Sequence, residues 1–228
     1  MSNIGRRRAA ALHQDAETYS NRRREIVEAA AHLFRKNGYA STSFNDIAAA
    51  LGTDRATIYY YVASKKELLL EAVRDAVESV AKGALEIRKS NDSPPKKLHD
   101  LIVALLKSYA ENYPHQYVYI QEGMAMHKEQ DTHLFKLGQL YERCLVEIVE
   151  EGMADGSFRA GGDPKIIAYG ILGALNWTHR WLNPRGRLAS VQVAESFSDM
   201  FLQGLQPRAI STARSSRAKT RSAAMARA

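Results

Sequence analysis

Residues 43–66 read SFNDIAAALGTDRATIYYYVASKK. Ser43 is a helix-capping residue, and Asp46, three positions on, places a carboxylate where it can answer the cap. Phe44, Ile47, Ala48 and Leu51 then fall on one face at helical spacing. Gly52 ends that helix, because glycine accepts a left-handed backbone. Asp54 caps a second helix, Arg55–Tyr61, with Ile58 and the following Val62 on its inner side. Ser64 and Glu67 make a capping box that opens a long third helix at Lys65. Two short helices around a tight turn, the second leading into a capped helix, have the form of a helix-turn-helix, which sets its second helix in the DNA major groove.

What the second helix leaves unburied sets its expected chemistry. Successive helix positions differ by roughly 100°, so Tyr59, Tyr60 and Tyr61 cannot all face inward, although one of them can join the core. Exposed phenols beside Arg55, Lys65 and Lys66 suit phosphate oxygens and base edges. We therefore expect Arg55, Ala56, Tyr59 and Tyr60 at base edges or adjacent sugars. Thr42, Ser43, Thr57, Tyr61 and Lys65 are expected at phosphates.

These residues also carry a family resemblance. Gly38-Tyr39, Thr42-Ser43-Phe44-Asn45-Asp46-Ile47-Ala48, Leu51-Gly52-Thr53-Asp54, Thr57-Ile58-Tyr59-Tyr60-Tyr61-Val62 and Ser64-Lys65-Lys66-Glu67-Leu68-Leu69 together resemble the TetR family of bacterial repressors. The resemblance runs from about Arg22 to Val73. Thr53 stands where a small apolar residue is usual and Val62 where Phe is usual; both read as packing variation. Beyond Val73 the resemblance lies in helical architecture rather than motif. It implies a homodimer on a double-stranded operator and a body of helices enclosing a ligand cavity.

The charge distribution agrees with a basic DNA unit on a separate body. The 228 residues carry a formal net charge of +7. Residues 1–70 hold 11 Lys/Arg against 7 Asp/Glu, residues 71–206 hold 15 against 18, and residues 207–228 hold 6 against none. The basic character is thus at the two ends, and a mildly acidic body does not bind phosphate backbone by itself. Hydrophobic residues make up 45%, which argues against overall disorder, and strand-like alternation is absent. We expect an all-α fold. The single cysteine, Cys144, excludes an internal disulfide framework and fits a reducing cytoplasm. No apolar run reaches membrane-span length, and the stretch after Arg6-Arg7-Arg8 is too short for a signal peptide.

Read in order, residues 1–19 are a basic extension, with Arg6 to Arg8 either reaching DNA as an arm or staying solvated. The DNA-binding domain is 20–66, opening with a helix Asn21–Lys36 whose inner stripe is Ile26, Ala30, Leu33 and Phe34. Arg22, Arg23 and Arg24 at its start oppose the helix dipole, to be relieved by a phosphate or by solvent. The helical body is 67–206. Its first helix, Lys65 to about Lys89, links the two parts through Leu69, Val73, Ala76 and Val80. After the break at Ser90–Pro95 come helices from Pro95 to Asn112, from Pro114, from Gln130 to Ala154, from Asp163 to Leu182 and from Ser190 to Leu205. The first of these carries Leu98, Leu101, Ile102, Leu105 and Tyr109 inward; the third carries Leu134, Leu137, Tyr141, Leu145, Ile148 and Val149. Residues 207–228, rich in Ser, Ala and Arg, are expected to be a disordered basic tail.

No glycine-rich phosphate loop, nucleophile elbow or paired-cysteine metal site is present. His127 and His133 lie across a helix break, and Cys144 has no close partner histidine. We expect no catalytic residues, no metal and no cofactor. The competing reading within DNA binding is an architectural protein whose body serves only to dimerise.

The body offers a ligand candidate instead. Tyr109, Tyr113, Tyr117, Tyr119, Met124 and Met126 gather across two helices, and Trp177 and Trp181 sit four apart on another. Aromatics at helical spacing are commonly plain core, but buried tyrosine hydroxyls need partners. Asn176-Trp177-Thr178-His179-Arg180-Trp181, with Pro184 and Gly186, resembles a TetR branch that controls fatty-acid and steroid-ring catabolism and responds to acyl-coenzyme A thioesters. That resemblance implies an apolar or acyl-CoA-like effector contacting Tyr109, Tyr113, Tyr117, Met124, Trp177 and Arg180. Two stripes, Ile167, Ile171, Ala174, Thr178, Trp181 and Val193, Phe197, Phe201, Gly204, exceed what one core needs. They are expected to meet a second chain in a four-helix dimer interface, the alternative being that they pack on their own body.

Overall fold

The computed structural model describes residues 3–127, 133–184 and 186–207, with side chains from residue 16 on apart from those of 124–127. Among these residues every regular element is a helix. The order is α1 (Asn3–Asn37), α2 (Phe44–Ala50), α3 (Arg55–Tyr61), α4 (Lys65–Lys89), α5 (Pro94–Glu111), α6 (His115–His127), α7 (His133–Ala154), α8 (Pro164–Trp177) and α9 (Ser190–Leu205), with a 3₁₀ turn at Thr178–Arg180.

The helix ends follow their capping chemistry. The Ser43 hydroxyl accepts from Asp46 N–H, and the Asp46 carboxylate accepts from Ser43 N–H at 2.7 Å. Gly52 turns the chain at φ +62°, and the Asp54 carboxylate accepts from Thr57 N–H at 2.7 Å. Ser64 caps α4 as expected, but Glu67 reaches back one residue further, to Ala63 N–H at 2.9 Å.

Two apolar cores result, with α4 belonging to both. Ile26, Ala30 and Phe34 of α1 pack with Ile47, Ile58, Val62, Leu68 and Val73 around the first. Leu98, Leu101, Ile102, Leu106, Leu145, Ile148 and Leu175 centre the second. α4 packs on α1 near its start and on α5, α6 and α7 further along, while α5 lies along α9 and α7 along α8.

Three expectations are corrected. α1 continues back to Asn3, so residues 3–19 belong to a helix rather than a separate extension; the side chains of Arg6 to Arg8 lie outside the described residues. Arg22 to Arg24 are therefore mid-helix and do not oppose a helix start. The helix from Asp163 stops at Trp177 and tightens into the 3₁₀ turn, where Thr178 Oγ1 donates to Leu175 O at 2.6 Å and Thr178 O takes Trp181 N–H. The tail from residue 208 lies outside the described residues.

Candidate nucleic-acid interface and effector cavity

α3 lies on the surface of the N-terminal core by one residue, Ile58, which is fully buried. Its opposite side is open: Tyr60 is 72% exposed and Tyr59 46%. Arg55 donates to the Tyr59 hydroxyl at 2.8 Å and stacks over that ring, one turn away. Tyr59 in turn meets Phe44 of α2 edge-on at 4.7 Å. The arginine fork and the Tyr59 phenol are thus held outward by a helix pair that is itself capped at both starts. Tyr61 is half-buried between Tyr60 at 5.0 Å and Tyr19 of α1 at 4.9 Å. It is the tyrosine closest to the core, and Tyr19 is a residue the sequence did not single out. Ala56 is exposed and Thr57 partly so. Ser43 is exposed, with its hydroxyl engaged in the α2 cap.

Two expected phosphate contacts have other work. Thr42 is 1% exposed, and its hydroxyl donates to Gly38 O at 2.9 Å. Lys65 Nζ lies 2.8 Å from Tyr39 O, 3.3 Å from Ala40 O and 2.9 Å from Thr42 O. An ammonium has three N–H donors, so the α1–α2 loop consumes all of them, and the Tyr39 ring lies under the charge at 4.4 Å. Lys65 thereby ties the start of α4 to the loop before α2.

Arg23 is the second clamp. Its guanidinium donates to Glu67 Oε1 at 2.8 Å, to both oxygens of Glu71 and to Tyr61 O, joining α1, the end of α3 and α4. The hydrogen bond to Arg23, then that from Ala63 N–H, holds the Glu67 carboxyl below the usual range. The sequence left Arg23 as a solvated or phosphate-bound residue, because the carboxylates that answer it are 44 and 48 positions away.

In the body, α4, α5, α6, α7 and α8 wall a cavity of about 180 Å³. Val77, Val80 and Ala81 of α4 line it with Leu105, Ile120, Leu137 and Leu172. Its polar lining is Gln116 and Tyr119 of α6, Tyr141 and Glu142 of α7, and Asn176 of α8. Gln116 is 3% exposed, and its Oε1 has no hydrogen-bond partner. Burial raises the Tyr119 and Tyr141 phenols above their ordinary values, so both stay protonated. Tyr141 donates, at 3.4 Å, to Leu101 O. The Tyr119 hydroxyl is seated against Gly138, where an added Cβ would lie 2.5 Å from the oxygen.

The other face of α6 grips the DNA unit. Glu122 accepts Tyr39 N–H at 3.0 Å, and Arg35 donates to Gln121 at 3.1 Å and to His179 O at 3.2 Å. His115 bridges Ala72 O of α4 at 2.6 Å and Glu28 of α1 at 3.0 Å.

Residues 26–72 match the family model described as bacterial regulatory proteins, tetR family, and residues 91–205 match the tetracyclin repressor-like C-terminal domain. The chain belongs to the TetR family. It is a DNA-binding regulator of transcription of the repressor type. The transcriptional repressor KstR2 of Mycolicibacterium smegmatis is 27% identical over 188 residues, 82% of this chain and 91% of that protein. KstR2 of Rhodococcus jostii is 28% identical over 195 residues, 84% and 94% of the two chains. Among solved structures, the TetR regulator PfmR of Thermus thermophilus is 31% identical with a TM-score of 0.70 over 79% of this chain and 98% of that one. AibR, solved with isovaleryl coenzyme A and operator DNA, shares the fold at a TM-score of 0.68 and 24% identity, over 82% and 100% of the chains.

Seen as a TetR body, the expected ligand set needs correction. Tyr109 and Tyr117 are fully buried and already partnered, to Asn176 Oδ1 at 2.9 Å and Leu182 O at 2.8 Å. Tyr113 packs on Tyr117 and His32, at the α5–α6 turn. Trp177 is 60% exposed with Arg180 stacked on it, outside the cavity. Met124's side chain lies outside the described residues. So the tyrosine cluster is core, and only Tyr119 of it reaches the cavity. Gln116, Gly138 and Glu142 carry no aromatic or motif signal, and Asn176 entered only as the first residue of the Asn176–Trp181 segment; the packing of five helices assembles them.

Of the expected dimer stripes, Trp181 and Gly204 are exposed and the rest is wholly or partly engaged in its own body. Ile171 and Thr178 are buried in their own body, and Ile167, Phe197 and Phe201 pack against the same core, with Ala174 half-buried beside them. The solvent-facing stripe of α8 is Ile166, Tyr169, Gly170, Gly173 and Trp177, with Met200 exposed on α9.

Among the described residues no group of three or more His, Cys, Asp or Glu could hold a metal ion, and no helix is long and apolar enough to cross a membrane. Cys144 is buried, which pushes its thiol up.

Proposed function

We propose that this TetR protein represses transcription as a two-fold dimer on a pseudo-palindromic operator and leaves the DNA when a small, largely apolar effector enters the cavity. The observation that carries the reading is one continuous helix. α4 begins at Lys65, which holds the loop before α2, and roughly three to four turns later presents Val77, Val80 and Ala81 to the cavity. α6 gives a second connection, with Gln116 and Tyr119 on the cavity side and Gln121 and Glu122 bonded to the DNA unit. A ligand that spreads these helices moves α3 relative to its two-fold mate, and rigid half-site spacing makes affinity sensitive to that distance.

Dimerisation is supported by the open face of α8. Ile166 is 72% exposed, and nothing lies within 4 Å of a Cβ added at Gly170 or Gly173, leaving room for a close helix approach. Apolar surface of this kind is covered at low cost by a copy of itself.

The Asn176–Trp181 segment, which resembles a TetR branch that answers acyl-coenzyme A thioesters, favours an effector of that class, and AibR, which shares the fold, is solved with isovaleryl coenzyme A. A cavity of about 180 Å³ accommodates a short acyl group with the coenzyme outside. Coupling of about 1–3 kcal/mol gives a roughly 5- to 150-fold change in affinity, and it is reciprocal. Calorimetric titration of the effector with and without operator DNA tests this: operator must weaken effector binding by the factor by which effector weakens operator binding. Equal affinities would leave a DNA-binding protein whose body only dimerises.

A further inference from the structure

The cavity ends against a second apolar room. Val80 of α4, Leu105 of α5 and Tyr141 of α7 line both the cavity of about 180 Å³ and a pocket of about 240 Å³ between α4 and α5. These three side chains are therefore the partition between the two spaces. Beyond it the walls are again largely apolar, with Ala84, Ile87, Leu101 and Ala104. Gly83 leaves space there, since nothing lies within 4 Å of a Cβ added to it. Tyr141 is the bulkiest member of the partition. It is 7% exposed, and its hydroxyl donates at 3.4 Å to the carbonyl of Leu101, a residue of the second pocket.

The polarity of the cavity decides which end of a ligand meets this partition. Its α4 and α5 walls are Val77, Val80, Ala81 and Leu105, whereas Gln116, Tyr119, Glu142 and Asn176 come from α6, α7 and α8. An acyl thioester gains most with its hydrocarbon end on the apolar wall and its carbonyl end toward the polar one. An apolar cavity of about 150 Å³ holds benzene, so about 180 Å³ takes an acyl group of about six carbons before its terminal methyl meets the partition.

We propose that Tyr141, backed by Val80 and Leu105, fixes the acyl-chain length of the effector: its ring stops the chain at the partition, and the α4–α5 pocket is the room a longer chain would take. This rests on the reading that the cavity holds an acyl thioester, and it says where such a chain ends.

The test is calorimetry on the full chain with butyryl, hexanoyl, octanoyl, decanoyl and dodecanoyl coenzyme A. Affinity should rise about fourfold per methylene up to hexanoyl. From hexanoyl to decanoyl it should fall by roughly fivefold or more, because overpacking is costly. Tyr141→Ala should move the optimum to octanoyl or decanoyl, and Tyr141→Phe, which keeps the ring, should leave it at hexanoyl. Adding Gly83→Leu to Tyr141→Ala should bring the optimum back by refilling the second pocket. Val80→Ala, a smaller cut in the same partition, should shift the optimum in the same direction and serves if the Tyr141→Ala chain does not fold. An optimum unmoved in Tyr141→Ala and Val80→Ala overturns the inference while the acyl-thioester reading stands. So does a wild type that binds dodecanoyl coenzyme A as tightly as hexanoyl coenzyme A. If no thioester of the series binds any of these chains, the acyl-thioester reading falls and takes the inference with it. A shifted optimum with operator affinity unmoved by the bound thioester, read by fluorescence anisotropy, upholds the inference and removes the effector role.

Discussion

The carboxylate of Glu122, on α6, accepts the backbone N–H of Tyr39, in the loop that leads into α2, at 3.0 Å across 83 residues of chain. It ties the helix that lines the cavity to the segment whose carbonyls also hold Lys65. Glu122→Gln keeps the shape and an acceptor but weakens the charge-assisted bond. Operator affinity should change little, while the drop in operator affinity caused by a bound effector should shrink several-fold. Anisotropy titrations with and without effector read this; an unchanged drop would assign the coupling to α4 alone.

Lys65 and Arg55 are expected to fail differently. Arg55→Ala removes an exposed fork and should cost about 1–3 kcal/mol of operator binding and relax preference at one base pair. Lys65→Met should lower the melting temperature and operator affinity together, yet leave the salt slope unchanged, because its ammonium is spent on three carbonyls. A salt slope lower by about one would show instead a direct phosphate contact.

The open face of α8 should govern assembly. Ile166→Lys with Tyr169→Glu places charges on exposed positions and spares Ile171, which is in the core. Light scattering should report a shift from dimer to folded monomer with the helical circular dichroism retained. A dimer that survives would move the interface elsewhere.

Gly138→Ala should act on the ligand rather than the fold. Its Cβ would meet the Tyr119 hydroxyl at 2.5 Å and push that side chain toward the cavity. Effector affinity should fall by about tenfold or more while operator binding holds, giving a repressor that cannot be released. Calorimetry of a bound probe checks the first half, and a reporter under operator control checks the second.

Protonation of His99 fastens α5 to α9. Its ring nitrogens lie 3.0 Å from Asp100 and 3.0 Å from Glu195, and those hydrogen bonds, Asp100's first, raise its pKa. A raised folded-state value means stability fully present below the unfolded value, about 6.5, and lost as pH rises through the folded one. Urea denaturation should therefore show stability declining from about pH 6.5 upward, and His99→Gln should flatten that decline. An unchanged slope would exclude this histidine as its source.

Local rules alone specify the helix-turn-helix. Ser43, Asp46, Gly52, Asp54 and Ser64 act on neighbours within four residues, and Ile47 and Ile58 announce their burial by spacing. The inner stripes of α1, α5 and α7 were legible for the same reason, since periodicity records which face is dry. Periodicity does not record what covers that face. The Ile167–Thr178 stripe looked like surplus to be met by a second chain, but its own body buries Ile171 and Thr178, while Ile166 and Tyr169 beside it stand exposed. Nor does composition separate a tyrosine that fills a core from one that faces a cavity. Tyr109, Tyr117 and Tyr119 look alike in the chain, and only the partners at Asn176, Leu182 and Gly138 tell them apart. Arg23 with Glu67 and Glu71, Lys65 with Tyr39 and Thr42, and Gln116 with its unpaired oxygen are all long-range arrangements. Their roles depend on which helices meet, and that is decided by the tertiary structure.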